Sequence, residues 1–247
     1  SARSMATTDA IRTPAVSIDF YSNDIDVGTD DGIEMDYTHR NTRCFRNRIT
    51  NARVAISLQP IYGGPCYVFR NEAYNTSYGP LKLHNRPSGV IVAHNTSVKQ
   101  GVPLPVLPGV PISDVVFRNN LFLGDGDRLV NWHAPAINCD FDYNGYGPTA
   151  GIVKIGGTKY ASLREAGRAG YERHGRLVAG PYFESAVAIP AKSSDRVTPV
   201  DCAPHPRCGA IDAGVPLPNV NDGFAGRAPD LGAREHGAPR PRYGLRR

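Results

Sequence analysis

An all-β solenoid, a right-handed parallel β-helix with coils of about 24 residues, is the fold this sequence predicts, and three observations predict it. An asparagine recurs at a fixed interval, its neighbours recur with it, and apolar and polar residues alternate within each unit. Asn23, Asn47, Asn71, Asn95 and Asn119 stand 24 residues apart. Cys44-Phe45-Arg46-Asn47-Arg48-Ile49 resembles Val68-Phe69-Arg70-Asn71-Glu72-Ala73, and Val92-Ala93-His94-Asn95 and Val116-Phe117-Arg118-Asn119 follow the same pattern. Phe20-Tyr21-Ser22-Asn23 precedes them and a worn copy, Cys139 to Asn144, follows. Alternation inside a unit of this length fits three short strands and three turns. Helical repeats need a period of 3.6, and leucine-rich repeats need a leucine scaffold that is absent.

Rungs stacked about 4.8 Å apart turn equivalent positions into columns. Tyr21, Phe45, Phe69, Ala93, Phe117 and Phe141 are expected to form an interior column, and the five asparagines a hydrogen-bonded ladder at a turn. Arg46, Arg70, His94 and Arg118 are expected to point outward. In the second half of each rung, Gly32-Ile33-Glu34-Met35-Asp36 matches Ala55-Ile56-Ser57-Leu58-Gln59 and Pro80-Leu81-Lys82-Leu83-His84. Strand alternation turns Glu34, Asp36, Ser57, Gln59, Lys82 and His84 outward. The run Val102 to Gly109, with Pro103, Pro105 and Pro108, reads as an excursion from the coil.

The coils are expected over 1–145 and an irregular capping segment over 146–247. In that segment Tyr160 to Tyr171 reads as a short helix with Ser162 as its N-cap, and the rest packs over the last rungs. No N-terminal cap is evident, so an upstream segment or a second copy of the chain is expected to cover that end. Ser1 to Met5 has no apolar core and is not a signal peptide. No apolar run is long enough for a transmembrane helix.

The chain has 247 residues and a net charge of +5, and hydrophobic residues make up 40% of it, which suits a folded domain. Its charge is uneven, acidic over 19–36 and basic from Arg240 to Arg247, where the tail reads as a solvated terminus. Nucleic-acid binding has no motif behind it and no membrane partner is expected. Of five cysteines, Cys44, Cys66 and Cys139 fall in expected strands as free thiols. Cys202 and Cys208 either bridge, which would imply export, or stay reduced. The absence of a CxxC pattern argues against zinc.

Asp30-Asp31-Gly32-Ile33-Glu34, then Gly63-Gly64-Pro65-Cys66-Tyr67-Val68-Phe69-Arg70-Asn71, and the close Ala228-Pro229-Asp230-Leu231-Gly232-Ala233-Arg234-Glu235 resemble bacterial β-helix proteins of the pectate-lyase-like superfamily. The resemblance covers about 16–145 and that ending. It implies a secreted or periplasmic protein acting on an acidic polysaccharide, foremost a lyase that cleaves a uronate polymer by β-elimination, with a hydrolase or a non-catalytic binder as the alternatives. For β-elimination of a uronate polymer, Lys82 is the expected base. His84 and Arg86 stand beside it as further catalytic residues. Asp31, Glu34 and Asp36 are the expected Ca²⁺ ligands. Tyr62, Gln59, His39, Arg70 and His94 are expected to bind substrate. The hydrolytic alternative rests on paired carboxylates such as Asp30-Asp31, but the companion motifs of polygalacturonase-like enzymes are missing.

Overall fold

Alternating side chains and tight asparagine turns fold the chain into a parallel β-solenoid of about six turns, seen in a computed structural model that describes residues 15–106 and 110–244. The first sheet stacks Asp19–Tyr21, Arg43–Phe45, Tyr62–Phe69, Ser88–Ala93, Ile112–Arg118 and then Ala136–Ile137 with Asp140–Asp142. The second stacks Asp24–Glu34, Arg48–Ser57, Glu72–Tyr74, Thr96–Lys99, Leu121–Gly124, Gly145–Pro148 and Arg176–Leu177. Asp24–Glu34 and Arg48–Ser57 are long enough to turn the next corner. Their far ends, joined by Gly79–Lys82, begin a third face that Leu104–Val106, Arg128–Trp132 and Ile152–Ile155 continue. Every inter-rung ladder is parallel; Thr158–Tyr160 closes the last one antiparallel.

The turn between the first two sheets sets the register. Ser22, Arg46, Arg70, His94, Asn119 and Tyr143 occupy the left-handed region, with φ between 53° and 58°. The next residue in each rung points into the turn. Asn47 Oδ1 accepts from the backbone N–H and the side-chain amide of Asn23 at 3.0 and 2.8 Å, and Asn47 Nδ2 donates to Asn71 Oδ1 at 2.9 Å and to the Phe20 carbonyl. The same four bonds recur at Asn71 and Asn95, and then at Asn120 and Asn144. The fifth member is therefore Asn120 and not Asn119, because this one rung is a residue longer. Asn119 takes the left-handed position and reaches outward to the Val215 carbonyl.

A left-handed residue also resets the alternation, which corrects the expected interior column. The inward set is Phe20, Cys44, Val68, Val92, Phe117 and Phe141, joined rung to rung. Tyr21, Phe45 and Phe69 stack on the outside instead, centroids 5.3 and 5.0 Å apart and nearly coplanar, with Tyr21 52% exposed. Arg118 follows Ala93 in that outer column, one place before the position of Arg46, Arg70 and His94.

Leu104–Val106 is a strand of the third face and not an excursion: Leu104 and Val106 are fully buried in the core and pair with Val130 and Trp132. Pro105 has no N–H to give, which fits its place at the edge of that sheet. Leu107 to Gly109 lie outside the described residues. The coils also run past residue 145, since Gly145–Pro148 and Ile152–Ile155 pair with the rung before.

The helix forms at Leu163–Arg168, with Ser162 Oγ accepting from Glu165 N and the Glu165 carboxylate accepting from Ala161 N. Ala166 and Tyr171 close the core, Tyr171 lying edge-on to Phe141. Next to them, fully buried Glu172 ends the asparagine ladder. Its two oxygens accept from Asn144 Nδ2 at 2.8 Å, Asn144 N at 3.3 Å and Tyr146 Oη at 2.7 Å. Burial pushes its carboxyl up to about 7.

From there the chain does not sit over the last rungs; it runs back along the second sheet. Val178, Phe183, Cys202, Cys208, Ala210, Ala213 and Leu231 form a second apolar core against Tyr74, Val98, Leu121 and Leu123. Cys202 and Cys208 are buried free thiols, so the bridge is not formed. The described part of the basic tail is docked: Tyr243 Oη donates to Glu72, Arg48 lies over the Tyr243 ring, and Gly244 N donates to the Ser22 carbonyl.

Candidate functional site

The expected register of the second half-rungs is the register found. Glu34 pairs with Ser57 and Ser57 with Lys82, over an inner column of Ile33, Ile56 and Leu81. Met35 N donates to the Ser57 carbonyl and Leu58 N to the Lys82 carbonyl. Met35, Leu58 and Leu83 are buried, which turns Asp36, Gln59 and His84 outward.

These columns bring Asp31, Glu34, Asp36, Gln59, Lys82 and His84 into one electrostatic cluster. Lys82 Nζ lies 2.6 Å from Asp31 Oδ2, with the two side chains 11% and 0% exposed. Asp36 Oδ1 accepts from Ser57 Oγ at 2.7 Å and from Gln59 N at 2.9 Å. Burial holds the Asp36 carboxyl above its usual range. Glu34 is held above it too, by desolvation first and then by the neighbouring Asp36 and Asp31. Burial lowers the His84 imidazole, and Lys82 and Arg53 lower it further, so the ring is neutral at pH 7. Asp31 Oδ1, His84 Nε2 and Tyr62 Oη are buried without a hydrogen-bond partner among the described residues. Buried polar atoms are rarely left so, and three on neighbouring turns suit a polar ligand.

Other expected residues fall elsewhere. Tyr62 and His39 lie together on the next turn, ring centroids 5.1 Å apart. Arg86 is exposed on the turn after His84 and makes no ion pair among the described residues. Arg70 and His94 are not on this face. Arg70 pairs with Glu235 at 3.3 Å, and His94 is fully buried beneath the C-terminal segment, Nε2 2.8 Å from Asn221 Nδ2. Burial pushes His94 down to about 3, so it packs as a neutral ring and offers a substrate nothing. Nor do Asp31, Glu34 and Asp36 converge as calcium ligands: among the described residues no three His, Cys, Asp or Glu side chains group as a metal would need.

Sequence reading missed Arg53, whose guanidinium lies 3.3 Å from Asp30 across one rung. Their spacing, 23 residues, was the available signal. Arg53 also lines a cleft of about 440 Å³ that Ser193, Asp195 and Arg196 of the C-terminal segment close. Protein-family models, curated proteins and solved structures offer no match to this chain, and its likeness to the pectate-lyase-like superfamily rests on the residues quoted above.

Proposed function

We propose that the third face binds a polysaccharide and hydrolyses a glycosidic bond, with Glu34 as general acid and Asp36 as general base. The observation that carries this is a pair of neighbouring carboxyls, both held high, beside cations already committed to other acids. Arg53 is taken by Asp30 and Lys82 by Asp31. Glu34 accepts no hydrogen bond from a described side chain, and desolvation first and then Asp36 and Asp31 raise its carboxyl, which favours its protonated form. Ser57 and Gln59 favour and orient the ionised form of Asp36. Glu34 and Asp36 stand two residues apart on the outward side, near enough for Asp36 to help raise the Glu34 carboxyl. The Tyr62–His39 ring pair supplies an apolar surface for a sugar on the next turn.

β-Elimination is the second reading, favoured by His84. Its neutral, unpartnered Nε2 suits removal of the proton next to a uronate carboxylate, whereas Lys82, an ammonium clasped by Asp31, suits binding that carboxylate and not acting as base. Arg86, exposed on the turn after His84, makes no ion pair among the described residues, a small complement for a polyanion.

Incubation with neutral and acidic polysaccharides separates the readings. Hydrolysis gives reducing ends without far-ultraviolet absorbance from an unsaturated uronyl end, at a rate that falls as pH rises through the elevated Glu34 value. Glu34→Gln and Asp36→Asn are each expected to lower the rate by about 10²-fold or more, with Glu34→Gln leaving the melting curve unchanged. Unsaturated products abolished by His84→Ala would establish elimination instead. Full activity in Glu34→Gln, or no product from any polymer, would sink the hydrolytic reading.

A further inference from the structure

At the C-terminal end of the solenoid, away from the third-face cluster, lies a cleft of about 740 Å³. Its wall carries Arg164 and Arg168 from the helix and Arg173 from the turn that follows. Arg164 and Arg168 are four residues apart and so lie on one helix face. All three are exposed, and none makes an ion pair or hydrogen bond with a described residue, although ten other arginines among the described residues pair with acids. The acid lining this cleft, Glu172, is turned inward to Asn144 and Tyr146. Glu165, on the same helix, is turned to Ala161 N. Leu163 and Leu177 supply apolar surface, and Leu177 is 48% exposed.

Three uncompensated guanidiniums around apolar surface describe a receptor with a definite chemistry. Guanidinium groups match carboxylate and phosphate oxygens in pairs and repel one another when empty. Apolar side chains left open at the rim are covered to advantage by a hydrophobic body. The volume is that of a small-molecule site. We infer that this cleft binds a small amphipathic oxyanion, a carboxylate or phosphate carried on an aromatic or aliphatic body, through Arg164, Arg168 and Arg173.

Naphthyl phosphate is the probe, followed by its own fluorescence as the intact protein is added. Naphthoate tests the carboxylate form, naphthalenemethanol the uncharged body, and inorganic phosphate the bare anion. Saturable binding of naphthyl phosphate or naphthoate is expected, weakened about tenfold by each of Arg164→Ala, Arg168→Ala and Arg173→Ala and weakened by added salt. Arg43→Ala, at an exposed pair with Asp19 in the first rungs, should leave it unchanged. The inference falls if neither aromatic anion binds or if the arginine variants bind as well as the native chain. It also falls if the uncharged body binds equally or inorganic phosphate competes with the affinity of the aromatic probe. Melting curves matching the native one show that lost binding is not lost folding.

Discussion

The asparagine turn and the third face are built from the same repeat, yet they treat polar groups in opposite ways. Along the turn, each interior amide makes the same four hydrogen bonds, and the last one is met by a carboxylate. On the third face the columns keep their register but change chemistry at every rung: Glu34, then Ser57, then Lys82. There, three buried polar atoms lack partners among the described residues. Repetition satisfies a buried group because a rung supplies its neighbour with an identical partner. Variation leaves groups unsatisfied, and those are the ones with something to offer a ligand.

The sharpest way to break the ladder is Asn71→Ala. It removes four bonds and strands buried partners on both sides, so a loss of about 4 kcal/mol or more is expected in denaturant unfolding. A loss below about 1 kcal/mol would show that the amides are ornament to the fold. On the third face, Lys82→Ala leaves Asp31 buried and unpaired and should cost about 3 kcal/mol, whereas replacing the pair together, Lys82→Met with Asp31→Leu, should be nearly neutral. Equal losses in single and double variants would contradict an ion pair held in balance. A pH-dependent effect belongs to the ladder's end. Glu172 has its carboxyl raised to about 7 from about 4.5, so the folded chain holds a proton that the unfolded chain releases. Its stabilising share is present below pH 4.5 and is lost as pH rises through 7, up to about 3 kcal/mol. Glu172→Gln should flatten stability across that window, and an unchanged slope would place the titration elsewhere.

What was legible in the sequence follows the same division. The period of 24 residues, the third-face register and the Ser162 cap could be read because each depends on local spacing. The shift to Asn120 was hidden by two adjacent asparagines and one added residue; counting back from Asn144 would have exposed it. The inverted aromatic column came from strict alternation carried through a left-handed residue, where it does not hold. Arg70 and His94 looked like surface groups because their rungs place them outward. A segment more than a hundred residues away covers them, and no local pattern announces that. The cluster of Asp31, Glu34, Asp36, Lys82 and His84 was legible as a set, but its pairings were not, since Asp31 reaches Lys82 across two rungs.

That returning segment also changes how the whole molecule comes apart. A bare solenoid is a one-dimensional array whose end rungs fray independently of the middle. Here the chain's final described residue bonds to the first rung, Gly244 N to the Ser22 carbonyl, after crossing the intervening rungs at Asn119, Thr96, Arg70 and Glu72. A rung that peels away releases its contacts with this segment as well as those with its neighbours. Unfolding should therefore run as one cooperative transition, with the first and last strands exchanging their amide hydrogens about as slowly as the central ones.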